Sequence, residues 1–311
     1  MNMKNKYILV HGPTGVGKSA TIEQIGATLP IEIVNCDVGQ FYTPFSIGTA
    51  KPDWRSSTIA HHLFDVIDTP ENFSVVKYRE LITQKMSEIR NRGNVPVLVG
   101  GSGFYGKSLF FPPLQDSSDS NVSDKASWDK LYELDPERAK TLHKNDTYRI
   151  ARACAIMQST GNLPSKLTPH YDPLPGDCLV IFLTRNRDEL YSRINSRTYQ
   201  MLTEGWIEEV MKLRGTEWES FLERKKLIGY TDILQYLKVD IHDEDSKDRL
   251  IEIIQRRTRN YAKRQETFWK MFKRLLEPHF EKNASMIAEV NLSDTLQKDF
   301  VKKYLMQFLS Q

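Results

Sequence analysis

Residues 12–19, GPTGVGKS, have the composition of an anion cradle. Glycines let the backbone turn tightly so that successive N–H groups point inward. A following helix adds the partial positive charge of its N-terminus, Lys18 adds a full charge, and Ser19 offers a hydroxyl suited to Mg²⁺. Gly12, Thr14, Gly15, Val16, Gly17, Lys18 and Ser19 are therefore expected to hold a phosphorylated ligand. The competing reading, a chance glycine-rich turn, is disfavoured by the apolar run Tyr7–Val10 before the loop and the helix-compatible stretch Ala20–Leu29 after it. The loop alone leaves open whether the ligand is a nucleoside triphosphate.

Asp37 is the second candidate. It closes the apolar stretch IEIVNCD, where a carboxylate can act as a general base, bind Mg²⁺, or cap the next turn. The other buried-looking run, VPVLVGG, ends in Gly100, Gly101 and Ser102, where a hydrolase of nucleoside triphosphates would carry its second aspartate. The machinery for cleaving a γ-phosphate is thus incomplete, which points away from ATP. The segment 255–274, QRRTRNYAKRQETFWKMFKR, interleaves Arg256, Arg257, Arg259, Lys263, Arg264, Lys270, Lys273 and Arg274 with Tyr261, Phe268 and Trp269. On a helix, Arg256, Arg259, Lys263 and Lys270 fall near one face. That pattern suits a phosphate backbone with unstacked bases, and equally a solvated helix whose aromatics pack inward. Lys140, His143, Lys144, Arg149 and Arg152 form a second basic patch, so a long polyanion is the expected partner. His61 and His62 lack a third ligand at metal-binding spacing and are expected to be structural.

Strand-like and helix-like segments alternate over the first 110 residues, which implies a parallel sheet with right-handed crossovers and ligands at the carboxyl ends of its strands. The loop 12–19, Asp37 and Gly100–Ser102 then share one rim. Residues 110–127, rich in Ser, Asp and Pro, read as the exit into an inserted helical piece; PHYDPLPGD (169–177) reads as the return, and CLVIFLT (178–184) as a further core strand. From Arg187 onward helices are expected, and the tail beyond about residue 276 carries no nameable chemistry. Three dispersed cysteines and a net charge of +3 argue against a disulfide framework or a zinc site and fit a reducing cytoplasm. No apolar run approaches a membrane span, and the early first strand leaves no room for a signal peptide.

Taken in order, GPTGVGKS, DVGQFY, IGTAKP, HHLFDVID, VPVLVGGSGFY, LHKNDTYRIARACAIMQSTG, RINSRTYQMLTEGWIEEV, IGY and RTRNYAKRQETFW resemble the tRNA dimethylallyltransferase (tRNA isopentenyltransferase) family, from Val10 to about Lys270. The resemblance implies a P-loop NTPase-like α/β core, its parallel sheet flanked by helices, plus an inserted all-helical domain. The expected divisions are 1–111 for the first part of the core, 112–176 for a tRNA-binding insert, and 177–311 for the rest. It implies transfer of a dimethylallyl group from its diphosphate to N6 of the adenine 3′ of the anticodon in tRNA. The loop would hold the diphosphate leaving group, with Lys18 catalytic and Mg²⁺ at Ser19. Asp37 matches the family's general base and Ser102 a hydroxyl, usually of threonine, that arranges the site. Gln40 matches the glutamine that reads the adenine. Lys51, Arg149, Arg152, Lys226, Arg256, Arg259, Lys263 and Arg264 are expected to contact the anticodon stem-loop.

Val38 and Gly39 follow Asp37 where the family has serine first, Lys226 stands where arginine is frequent, and the insert is short between Phe111 and Leu142. Without a C-terminal Cys/His zinc finger the chain resembles the bacterial form, expected to be a cytoplasmic monomer. The rival readings are a P-loop kinase or NTPase, an adenylate isopentenyltransferase acting on free AMP, ADP or ATP, and an RNA-binding relative that has lost catalysis.

Overall fold

The structure, a computed structural model, describes residues 5–113, 126–239, 243–281, 284–297 and 299–310. Most of the Ser/Asp-rich exit at 110–127 therefore lies outside the described residues. The chain divides into two compact units, Met1–Phe110 with Pro173–Gln311, and Phe111–Asp172.

In chain order the first unit opens with β1 (Lys6–His11), α1 (Lys18–Gly26), β2 (Ile31–Asn35), β3 (His61–His62), α2 (Val75–Asn91), β4 (Val95–Gly100) and α3 (Gly103–Ser108). The second unit contributes α4 (Trp128–Leu134), α5 (Pro136–Lys140) and α6 (Thr147–Thr160). The first unit resumes with β5 (Asp177–Thr184), α7 (Arg187–Thr203), α8 (Trp206–Met211), α9 (Glu217–Lys225) and α10 (Tyr230–Tyr236). It ends with α11 (Glu244–Phe280), β6 (Met286–Asn291) and α12 (Phe300–Ser310). Among the described residues no helix is long and apolar enough to cross a membrane.

The strands form one 6-stranded sheet in the order β3-β2-β4-β1-β5-β6, with every pairing parallel. Every residue of β1, β2 and β4 is buried, as expected of a parallel sheet covered on both faces. The parallel sheet expected from the alternation of elements, and the P-loop NTPase-like α/β core implied by the family resemblance, are the fold observed. Two strands were not expected: the short β3 beside β2, and MIAEVN, β6, which lengthens the sheet beside β5. Only two of the six positions of β6 are buried, so the apolar run that marks the central strands is missing there.

At the carboxyl rim, β2 and β4 pair with Asn35 opposite Val99, and the Cys36 N–H continues the ladder to the Val99 carbonyl at 2.9 Å. A Cβ on Gly100 would lie 2.2 Å from the Cys36 carbonyl oxygen, so only glycine permits this approach.

Two further packing units hold the rim. Glu209 on α8 accepts the N–H groups of Ser46, Ile47 and Gly48 at 3.0, 2.8 and 3.2 Å and the Tyr230 hydroxyl at 2.7 Å. The Trp206 indole fills the space beside Gly48 and Gly229, where an added Cβ would meet it at 2.1 and 1.9 Å. IGTAKP, GWIEEV and IGY are thus one packed assembly that fixes the chain just after Asp37. In α11, Leu250, Ile254, Ala262, Gln265, Trp269, Phe272, Leu276 and Phe280 form the buried stripe.

Among its described residues the second unit has only helical elements. Its core is Leu131, Ala139, Leu142, Ile150, Ala153 and Cys154, closed by Trp128, whose Nε1 donates to the Ala139 and Leu142 carbonyls at 3.0 and 3.1 Å.

At the opposite edge of the sheet, buried Glu32 accepts a bidentate pair from Arg92 at 2.9 and 2.7 Å, Asn94 at 2.8 Å, and His62 at 2.6 Å. His61 contacts Glu23 at 2.9 Å. Both imidazoles thus serve the scaffold. Burial alone would raise the Glu32 carboxyl, but the bonds from Arg92, Asn94 and His62 outweigh it and hold the group at about 2 against an ordinary 4.5. A carboxylate depressed on folding stabilises the protein fully above its unfolded value and loses that contribution as pH falls toward the folded one. Wild-type stability is therefore expected to fall between about pH 4.5 and 2 by on the order of 3 kcal/mol more than that of Glu32→Gln. Urea midpoints across that range test this, and parallel profiles for the two proteins would refute it.

Candidate active site

The site grows from three strand ends. After β1 the chain enters the loop 12–19, where Gly15 and Gly17 take positive φ values of 79 and 104°. Lys18 then opens α1, and its half-buried ammonium donates to the Gly12 and Pro13 carbonyls, both at 3.0 Å. Burial lowers the Lys18 ammonium to about 8, with Asp37 opposing the fall and Arg197 adding to it. Ser19 is exposed at the loop mouth.

After β2, Asp37 sits half-buried at the start of a 3₁₀ turn, Val38–Phe41, and its carboxylate accepts the Gly39 N–H at 3.4 Å. After β4, Ser102 heads α3 but makes no cap with its side chain. Its hydroxyl instead accepts the Val38 N–H at 3.2 Å and donates to the Asp37 carboxylate at 3.5 Å. Asp37 and Ser102, 65 residues apart in sequence, are one unit in space. Tyr261 of α11 completes it: burial raises its hydroxyl well above the ordinary value, the Asp37 charge adds to the rise, and the Ser102 hydroxyl opposes it.

The loop is braced by three side chains from other elements. Gln265 accepts the Thr14 N–H at 2.9 Å, Arg185 donates to the Val16 carbonyl at 2.7 Å, and Arg193 to the Gly15 carbonyl at 2.9 Å. Arg197, one turn beyond Arg193 on α7, is half-buried with no hydrogen-bond partner among the described residues; burial lowers its guanidinium while Asp37 pulls the other way. A guanidinium stays charged, so Lys18 and Arg197 make an electropositive centre beside Asp37, with Arg193 next to Arg197. Beneath the loop, His11 is fully buried, its Nδ1 paired with the Gly100 carbonyl at 2.9 Å. Burial, with Lys18 adding, lowers the imidazole to about 4, so it is neutral.

Among the RNA-contact candidates, Lys51 requires correction. Its side chain is 4% exposed, paired to Asp65 and hydrogen-bonded to the Tyr42 carbonyl at 2.9 Å. Its charge holds the IGTAKP loop to HHLFDVID and is not offered outward. Gln40 gives its NH₂ to the Thr49 and Ala50 carbonyls at 3.0 and 3.3 Å, leaving its oxygen without a protein partner among the described residues. On α11, Arg256, Lys263, Arg264 and Lys270 are exposed, whereas Arg259 is half-buried and bound to Asn195 at 2.7 Å. Trp269 is no platform for bases: it stacks on Phe182 with centroids 4.4 Å apart and donates to Glu289 at 3.1 Å. Lys226 is exposed at the C-cap of α9 with φ 52°. In the second unit Arg149 is exposed, 3.6 Å from Asp146, and Arg152 is half-buried.

The residues missed from sequence are Arg193 and Arg197, whose spacing of four in RINSR was a readable signal, and Gln265, a polar break in an otherwise apolar helical stripe.

Fold and site together define a P-loop-type α/β enzyme in which an electropositive loop faces a carboxylate–hydroxyl pair. The family model described as IPP transferase matches residues 40–272. A tRNA dimethylallyltransferase of Geobacter sulfurreducens is 35% identical over 86% of this chain and 89% of its own, and one of Petrotoga mobilis is 34% identical over 98% and 100%. Among solved structures, the full-length tRNA isopentenylpyrophosphate transferase of Bacillus halodurans has a TM-score of 0.66 at 29% identity, covering 98% of this chain and 97% of that one. A eukaryotic dimethylallyltransferase acting on tRNA has a TM-score of 0.75 at 26% identity, covering 97% and 77%. The chain belongs to the IPP transferase family and is a prenyltransferase.

Binding of inorganic diphosphate is expected to require the charged form of Lys18. A bound anion raises that ammonium, so affinity falls as pH rises through about 8. Titration calorimetry of wild type and Lys18→Arg in parallel isolates this inflection from the ligand's own ionisation. An identical pH profile in the two proteins would sink the assignment.

Proposed function

We propose that the protein transfers a dimethylallyl group from dimethylallyl diphosphate to N6 of the adenine 3′ of the anticodon in tRNA. The observation that carries the reading is the pairing of an arginine-braced phosphate loop with the Asp37–Ser102 unit on one rim. The other strand end on that rim carries glycines and Ser102 where a γ-phosphate hydrolase needs its second acid. The names of the relatives supply tRNA and the prenyl group.

The new bond forms between N6 and C1 of the dimethylallyl group as the C1–O bond breaks. Negative charge gathers on the departing diphosphate, where Lys18, Arg193, Arg197 and the loop N–H groups stabilise it. An adenine amino group is a weak nucleophile, so Asp37 takes its proton as the bond forms, with Ser102 holding the carboxylate in place. The unpaired oxygen of Gln40 suits an N–H donor on the target base, which must leave the stack to reach Asp37. Exposed Arg256, Lys263, Arg264 and Lys270 on α11, with Lys226 and the basic helix of the second unit, supply the phosphate contacts that position the anticodon stem-loop.

A hard cation fits beside Ser19. Its exposed hydroxyl has no protein partner, and no group of three His, Cys, Asp or Glu side chains among the described residues is placed to hold a metal by itself. Mg²⁺ there would draw most of its ligands from the diphosphate and water. When bound, it would neutralise charge on the leaving group.

The test combines purified protein, dimethylallyl diphosphate, Mg²⁺ and unmodified tRNA, with mass analysis of the digested nucleosides; a parallel reaction offers free AMP. Prenylated adenosine is expected from tRNA alone, and Asp37→Asn is expected to lower turnover about 10²–10⁴-fold with tRNA binding retained. Product from AMP alone would reassign the enzyme to adenylate, and tRNA binding without product in the wild type would mark a retired site.

A further inference from the structure

We propose that Gln265 is a positioning residue that couples RNA docking on α11 to order in the diphosphate loop, an inference that rests on the function proposed above. Gln265 is 4% exposed and sits in the stripe that α11 otherwise turns to the core with apolar and aromatic side chains. A buried primary amide is costly unless both ends are paired. Here both are: Oε1 accepts the Thr14 N–H at 2.9 Å, and Nε2 donates to the Gly101 carbonyl at 2.7 Å. Its partners lie 251 and 164 residues away, in the two loops that build the site.

The surrounding space shows how closely these parts depend on one another. A Cβ on Gly101 would stand 2.5 Å from Gln265 Nε2 and 3.3 Å from Lys18 Nζ, so amide and ammonium share one edge of backbone. Lys18 donates to the Gly12 and Pro13 carbonyls, the two residues just before Thr14. Residues 12–14 are therefore held by two side chains. One, Lys18, belongs to the loop and turns to the diphosphate when it binds; the other is anchored in α11. The Gly101 bond reaches the opposite wall, because the next residue is Ser102, which holds Asp37.

Lys263 and Arg264 immediately precede Gln265 and are exposed. A polyanion bound to them restricts the same helical turn that carries the amide. The donor and acceptor that Gln265 presents to the two loops are then fixed before the diphosphate arrives. The ordering cost of the loop is met once for two ligands, which is positive coupling without a change of fold.

The probe is the unreactive dimethylallyl S-thiolodiphosphate, titrated into the full chain with and without a saturating unmodified anticodon stem-loop. In wild type the RNA is expected to tighten this ligand about 5-fold or more, and the ligand to tighten RNA by the same factor. In Gln265→Met, which keeps the volume and loses both hydrogen bonds, the ratio is expected to fall to about 1 while RNA binding alone changes less than about two-fold. Gln265→Glu keeps shape and polarity, sets an oxygen against the Gly101 carbonyl, and is expected to lose coupling too, which guards against a misfolded Met variant. A merely structural glutamine would lower melting temperature and leave the ratio intact. An undiminished ratio in either folded variant, or a wild type that binds both ligands without coupling, overturns the proposal. A wild type that binds neither overturns the proposed function itself.

Discussion

The site depends on how closely two parallel strands approach where they end. β2 and β4 run in register to Asn35 and Val99, and the Cys36 N–H adds one more bond to the ladder. At the next step the backbones come so near that Gly100 has no room for a Cβ. That contact brings the chain after β2 and the chain after β4 together, so Asp37 and Ser102 meet although neither strand could present both. A carboxylate needing a hydroxyl partner and a sheet needing a close strand pair are served by the same glycine. The assembly of Trp206, Glu209 and Tyr230 then prevents the loop beyond Asp37 from relaxing away.

Electrostatics on this rim follow from the same crowding. Several cationic groups surround a loop of backbone amides; Glu189 pairs with Arg185, and Asp37 is the carboxylate that acts on Lys18 and Arg197. Burial makes the Lys18 ammonium easy to deprotonate, and Lys18 and Arg197 disfavour each other's charge. On the proposed function, a polyanionic leaving group would relieve that repulsion where it is strongest. A diphosphate that gains charge as it departs would then be stabilised more than the bound substrate, which is the differential stabilisation that catalysis requires.

Sequence reading recovered what local chemistry dictates. The phosphate loop carries its own glycines, Lys18 and a flanking strand and helix; β1, β4 and β5 carry continuous apolar runs, and β2 is apolar apart from Glu32 and Asn35. The three strand ends could be placed on one rim because parallel sheets always gather ligands there. The rest was hidden for definite reasons. Lys51 was expected to contact RNA only through the family resemblance, and its partner Asp65 lies 14 residues away across a loop. Trp269 alternates with basic residues as an RNA platform would, yet helical periodicity turns it inward onto Phe182. Gln265 has no meaning until Thr14 and Gly101 are both beside it. IGTAKP, GWIEEV and IGY had to be taken as a set of motifs because their reason, glycines shaped to one indole, is tertiary.

Val38 can be understood in these terms. A serine at this position would supply a hydroxyl next to Asp37, the proposed base, and valine there supplies none. The Asp37 carboxylate, however, is held by the Gly39 N–H and the Ser102 hydroxyl, and Val38 contributes its backbone N–H, which donates to Ser102. A backbone donor is indifferent to the side chain that follows. What the β-branched side chain does change is the stiffness of the turn that starts the 3₁₀ segment, and χ1 restriction there favours one conformation of the peptide bearing the donor. The hydroxyl partner of Asp37 in this chain comes from Ser102, in the segment after β4. That partner is set by the β2–β4 register rather than by residue 38.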